Sequence, residues 1–185
     1  MKRALVVLAL LAACSHQVSL EIQAPATLPD EPPGSEIATV TRVVDGDTIE
    51  VRVTGRDEGP GAGDAEIGSV QRVRLIGIDT PESVDPRRPV ECFGKEASAA
   101  TRALLAEASV HLVKDVEEAD AYDRLLRYVY LGQEMANARL VVNGYASAYT
   151  YPPNVRHSEM FVQLEGEARE KDRGLWSRDT CGGRP

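Results

Sequence analysis

From Ala38 onward the apolar positions follow two rhythms. Over Ala38 to Val44, Thr48 to Thr54 and Val70 to Ile78, apolar and polar residues alternate with period two in a Val-, Ile-, Thr- and Arg-rich composition, which predicts three strands of a meander. Asp45-Gly46-Asp47 is the first turn. Gly55 to Ser69, carrying Gly59-Pro60-Gly61 and three further glycines, predicts a long mobile hairpin loop. The rhythm then turns helical: Ala97, Ala100, Leu104 and Leu105 form a stripe that predicts a helix over Gly94 to Ala108. Val110 to Val116 and Arg127 to Leu131 read as strands joined by the acidic turn Glu117 to Asp123. A second helix runs from Met135 to Asn143 and stops at Gly144, which suits a left-handed cap. Tyr145 to Pro153 is irregular and holds three tyrosines. A third helix, Ser158 to Asp172, places Phe161, Leu164 and Ala168 on one face and ends at Gly174-Leu175-Trp176. Five strands interspersed with three helices predict an α+β fold built on a small five-stranded β-barrel.

The N-terminal residues follow neither rhythm. Met1-Lys2-Arg3 is positive, Ala4 to Leu10 is a short apolar run, and Ala12 and Ala13 are small, the pattern of a secretory signal and too short to span a bilayer as a helix. Leu11-Ala12-Ala13-Cys14 resembles the bacterial lipobox, which implies a lipid on Cys14 and membrane anchoring through it. Ser15 after the Cys favours the outer membrane. Ordinary secretory cleavage, or a buried N-terminal segment, is the alternative. Val18 to Glu36, with Pro25, Pro29, Pro32, Pro33 and Gly34, reads as an extended tether. The chain thus divides into a signal at 1–13, a Pro-rich tether at 14–36, a domain at 37–178 and a tail at 179–185, with a cell-envelope or secreted location and a monomeric state expected. With Cys14 assigned to lipid, Cys92 and Cys181 are an even pair in an oxidising compartment. A disulfide tying the tail to the central region is expected, with two free thiols as the alternative.

A formal charge of −8, from 29 acidic against 21 basic residues, argues against tight non-specific nucleic-acid binding, which depends on neutralising phosphates. It leaves room for a small site with its own cations.

Candidate chemistry gathers at Arg74-Leu75-Ile76-Gly77-Ile78-Asp79-Thr80-Pro81-Glu82. Alternation puts Arg74, Ile76 and Ile78 on one side and Leu75, Gly77 and Asp79 on the other. Pro81, with no N–H to donate, ends the strand between the two acids. Asp45-Gly46-Asp47-Thr48 is first of all a hairpin turn. If Asp47 faces Asp79 across paired strands, however, two carboxylates and a backbone carbonyl make a hard-oxygen site for Ca²⁺ or Mg²⁺. His16, His111 and His157 are scattered and point to no zinc site. Singly, Arg74 and Arg124 read as surface charges with packed stems. Beside a metal-held phosphodiester they become clamps on its oxygens, with Glu82 left to orient or deprotonate a water.

Six stretches in order carry a resemblance. They are Asp45 to Thr48, Arg74 through Asp79-Thr80-Pro81-Glu82, Glu91 to Ala97, Asp120 to Val129, Asn143 to Ala146, and Gly174 to Trp176. Together they resemble the staphylococcal (thermo)nuclease family over about Ala38 to Ser177. The resemblance implies an OB-fold barrel with three helices and a Ca²⁺-dependent phosphodiesterase that cuts DNA and RNA to 3′-phosphate products. It implies Asp47, Asp79 and the Thr80 carbonyl as metal ligands, with Asp45 beside them. It implies Arg74, Arg124 and Glu82 as catalytic residues, and Tyr122, Tyr149 and Tyr151 as nucleotide contacts by stacking. Packing is the other reading of those tyrosines. Ala121 stands where the family has a phosphate-contacting Lys, and Asp123 where Gly is usual, so weaker nucleotide binding is expected. The rival from another class is a catalytically idle module of the same fold that binds nucleic acid or protein at the cell envelope.

Overall fold

The computed structural model describes residues 33–83 and 89–181. Cys14, the signal and most of the tether lie outside the described residues, as does the end of the tail. Strands β1 (Ser35–Val43), β2 (Thr48–Asp57) and β3 (Val70–Leu75) form the predicted meander, followed by the short β4 (Ile78–Asp79). After α1 (Gly94–Leu105) come β5 (Ser109–Ala119), β6 (Leu125–Leu131), the two-residue β7 (Glu134–Met135), α2 (Ala136–Val142), β8 (Ser147–Ala148) and α3 (Ser158–Glu170). A single 3₁₀ turn, Gly174–Trp176, ends the fold.

The sheet order is β3-β2-β1-β5-β6-β7, and a parallel pairing of β3 with β6, Val73 opposite Leu125 and Arg74 opposite Leu126, closes five strands into a barrel. Its interior is the inward half of each alternating strand: Val40, Ile49, Val51, Val73, Leu75, Leu112 and Val129 are all buried. Phe161, Leu164 and Ala168 are the buried residues of α3, as its stripe requires. Asn137 fastens α2 to the barrel, its side chain donating to the Ile76 carbonyl (2.9 Å) and accepting from the Val129 amide (2.9 Å).

Four expectations change. The strand expected over 70–78 stops at Leu75, because Gly77 turns the chain at φ +81°. A Cβ there would stand 2.2 Å from the Phe161 ring. β4 pairs with β8 rather than with a barrel strand, so Asp79 does not face Asp47 across a ladder.

The Gly55-to-Ser69 segment is not a mobile hairpin loop. β2 continues through its first residues to Asp57, and the remainder folds over the barrel: the Gly61 amide donates to Pro33, the Lys114 amide to Gly61, and the Ala65 amide to Glu36. Gly63 lies against Arg127 and Glu36 so closely that a Cβ would collide with both.

The domain also starts earlier than Ile37. Glu36, read as tether, is fully buried in β1, where its carboxylate takes the Arg127 guanidinium in two hydrogen bonds of 2.6 and 3.0 Å. Arg127 also pairs with Glu118 and donates to its carbonyl. Burial would raise the Glu118 carboxyl, but the charge and hydrogen bond of Arg127 outweigh it and hold that group below its ordinary value. Finally, Cys92 and Cys181 form the expected disulfide, across 89 residues of sequence.

Candidate active site

The β1–β2 turn is tight because the Val44 and Asp45 amides both donate to the Thr48 carbonyl (2.9 and 3.0 Å). Gly46 is required there: a Cβ would meet the Thr80 side chain at 2.6 Å. Its carbonyl accepts from the Thr101 hydroxyl of α1. The turn therefore delivers Asp47, buried, to the chain leaving β4. Asp47 Oδ2 accepts from both the amide and the hydroxyl of Thr80 (3.1 Å each), and Oδ1 from the Thr48 hydroxyl (3.0 Å).

Arg74 closes the arrangement. Its Nη2 lies 3.2 Å from Asp47 Oδ2 and 3.0 Å from Asp79 Oδ1, while Nη1 donates to the Leu75 carbonyl at 2.8 Å. Strict alternation puts Arg74 and Asp79 on opposite faces; the bend at Gly77 brings them together.

Asp45 and Glu82 stand behind this pair. Asp45 accepts from the Gly46 amide (2.8 Å) and the Ser83 hydroxyl (2.5 Å). Burial pushes its carboxyl above the ordinary value; those two hydrogen bonds oppose the shift, and the negative charges of Asp47 and Glu82 add to it. Glu82 is held by a residue with no role assigned from sequence. The Glu82 amide donates to Glu91 Oε2 and the Glu91 amide to the Glu82 carbonyl, both at 2.8 Å. Glu91 precedes the disulfide-bonded Cys92 and belongs to a stretch that carried the resemblance, so its place was visible while its function was not.

In front of Arg74 and Asp79 opens a cavity of about 600 Å³, walled also by Asp120, Ala121, Tyr122, Arg124, Tyr149 and Tyr151. Tyr122, Tyr149 and Tyr151 are exposed rather than packed, and the last two stack on each other (centroids 6.3 Å apart). Arg124 lies over the Tyr122 ring at 5.6 Å. Asp120 holds its guanidinium by Nε (2.7 Å) and Nη2 (2.6 Å). Burial would raise the Asp120 carboxyl, but hydrogen bonds from the Arg124 amide and guanidinium and the Tyr122 amide hold it below its usual range. Of the described histidines, His111 bonds Ser35 and His157 is buried against Tyr128 and Phe161, so neither serves the site.

Two arginines, two acids bridged by one of them, and exposed aromatics thus gather at and beside a single groove. A sequence profile described as staphylococcal nuclease homologue matches residues 72–178. The thermonuclease of Staphylococcus intermedius is 43% identical over 139 residues, 75% of each chain, and that of Staphylococcus hyicus 41% over 138 residues, 75% of this chain and 74% of the relative. The SPbeta prophage-derived endonuclease YokF of Bacillus subtilis is 34% identical over 143 residues, 76% of this chain and 44% of its own length.

The chain belongs to the staphylococcal nuclease family.

In this staphylococcal nuclease homologue the matched region takes in Arg74, Asp79, Thr80, Glu82 and Arg124, while Asp45 and Asp47 lie ahead of it, on the turn between β1 and β2. Among the described residues no three His, Cys, Asp or Glu side chains are grouped to hold a metal. The donor set that the family resemblance implies, Asp47, Asp79 and the Thr80 carbonyl, would offer two carboxylates and a carbonyl. Oxygen donors of that kind fit a hard cation such as Ca²⁺, with water completing the shell, and do not fit zinc.

Proposed function

We propose that this chain is a phosphodiesterase that cleaves DNA, and RNA as well, with little sequence preference and with dependence on Ca²⁺. The observation that carries the reading is Arg74, whose single guanidinium spans Asp47 and Asp79 at the inner end of a groove holding a second arginine and three exposed tyrosines. The tyrosines offer faces on which any base stacks. Arg74 and Arg124 donate to the phosphate oxygens, where charge grows in the transition state.

Asp47, Asp79 and the Thr80 carbonyl would hold Ca²⁺, with Asp45 behind them, and the ion would supply Lewis-acid polarisation of the substrate phosphate. Glu82, positioned by Glu91, takes a proton from water as its oxygen bonds to phosphorus. The phosphorus–O5′ bond breaks, the proton is returned to O5′, and the products are a 3′-phosphate and a 5′-hydroxyl. In the same reading Cys14 carries a lipid that keeps the enzyme at the cell envelope.

The purified chain is expected to degrade single-stranded DNA when Ca²⁺ is supplied and to be silent in chelator. An absence of metal-stimulated cleavage across Ca²⁺ concentration and pH overturns the reading in favour of a binding module.

A further inference from the structure

A shallower depression of about 350 Å³ adjoins the groove, lined by Arg72, Tyr122, Asp123 and Arg124. Tyr122 and Arg124 belong to both. Arg72 faces outward from β3 two residues before Arg74, between the buried Val73 and the partly buried Gln71. Extending the parallel register of Val73 with Leu125 by one step sets Arg72 beside Arg124. The acid opposite Arg72 on β2 is Glu50, and that carboxylate is taken by Arg42 (3.1 Å) and Thr41 (3.3 Å). Among the described residues Arg72 is left with no ion pair, whereas Arg74 and Arg124 are each bonded to carboxylates. An exposed guanidinium next to an exposed tyrosine, on a chain of net charge −8, is a local exception to the field of the whole molecule.

We propose that Arg72 and Tyr122 form a second phosphate subsite, which takes the phosphodiester next to the one under attack and so selects polymeric over mononucleotide substrates. This rests on the nuclease reading above. Two strand residues advance ~6.6 Å, a step comparable with that between neighbouring phosphates of an extended single strand, so Arg72 and Arg74 meet successive phosphates. Tyr122 stacks the intervening base. Arg72 thereby supplies the positive charge that Ala121 does not. Asp123, held at φ +59° on the same depression, opposes the phosphate and keeps the affinity modest.

The test is binding of fluorescent single-stranded oligothymidylate to the full chain in chelator, at several salt concentrations. For a probe of roughly eight nucleotides, within the span of one OB-fold, R72Q is expected to weaken binding about tenfold, as for loss of one charge-assisted contact. It should also lower the magnitude of the salt slope by about 0.7. R72K should recover much of both. D123N, which suits the left-handed backbone, should tighten binding severalfold. The loss in R72Q should shrink towards unity on a dinucleotide. R102Q, which removes the same charge from α1, should leave the length dependence in place.

Equal affinity and slope in wild type and R72Q overturn the subsite, as does a wild type that does not bind or a D123N that binds no better. A wild type that binds through Arg72 but does not cleave with Ca²⁺ overturns the nuclease reading and leaves the subsite standing. Cleavage with no dependence on Arg72 does the reverse.

Discussion

Arg74 and Arg127 make the same kind of contact in opposite surroundings. Each is a guanidinium shared between two carboxylates: Arg74 between Asp47 and Asp79, Arg127 between Glu36 and Glu118. Arg74 opens onto the groove, and its partner Asp79 has a side chain 55% exposed. Arg127 and Glu36 are wholly covered, sealed by the segment that follows β2. Composition alone therefore does not separate a site from a strut. What separates them is whether water and substrate reach the pair. A buried pair is costly to break because it strands a charge, while an open one can exchange a partner for a ligand.

The largest effect sharpens the open side. Glu82→Gln, or Arg124→Ala, is expected to lower kcat by about 10²–10⁴-fold with thermal stability nearly unchanged, since in the proposed mechanism the first acts on the attacking water and the second on the phosphate. A wild-type rate in Glu82→Gln returns Glu82 to the scaffold. The sealed side predicts the converse. Arg127→Ala leaves Glu36 buried without its partner and should cost about 3–5 kcal/mol in denaturant unfolding, while the molecules that stay folded turn over normally. If Arg127→Ala loses activity without losing stability, the contrast between the clusters is wrong.

Calcium tests the same contrast without catalysis. At a hundredfold excess over its dissociation constant Ca²⁺ should add about 2.7 kcal/mol to stability. That thermal shift should vanish in Asp47→Asn and persist in Arg127→Ala. Wild type with no shift removes the metal from the reading.

The smallest effect is in pH. Folded Glu118 and Asp120 titrate below their unfolded values of 4.5 and 3.8, because arginine contacts outweigh burial. The unfolded chain then binds more protons in that range, so their contribution is present above those values and is lost as pH falls through the lower folded ones. Asp45, raised by burial, acts in the opposite sense. The quantity to read is therefore the difference: in calcium-free buffer Glu118→Gln should show a flatter loss of stability on acidification than wild type, and an identical slope contradicts the assignment.

Much of this was legible in the pattern of residues, and the exceptions have physical causes. Period-two alternation placed β1, β2 and β3, and the helical rhythm placed the buried face of α3, because burial on one side imposes both periods. The contact of Arg74 with Asp79 was hidden, since it depends on a bend at Gly77, where the Phe161 ring of α3 leaves no room for a Cβ. Arg127 was hidden for a related reason. All but the last residue of β6 are buried, so no alternation marks any of them, and its partner Glu36 lies 91 positions away. The segment after β2 misled by composition: glycine and proline read as mobility, whereas here glycine gives the close approach that packs a lid onto an ion pair. Each hidden feature is a contact between distant parts of the chain, which local periodicity does not encode.

The cover over Arg127 also decides where this nuclease can be cut from whatever it is attached to. The Pro33 carbonyl accepts from Gly61, and Glu36 neutralises Arg127 three residues later. A catalytic cassette moved onto a different anchor, or fused behind another protein, must therefore begin no later than Pro33. Starting it at the first apolar residue of the barrel pattern would carry over every side chain of the groove but leave the buried Arg127 with Glu118 as its remaining carboxylate.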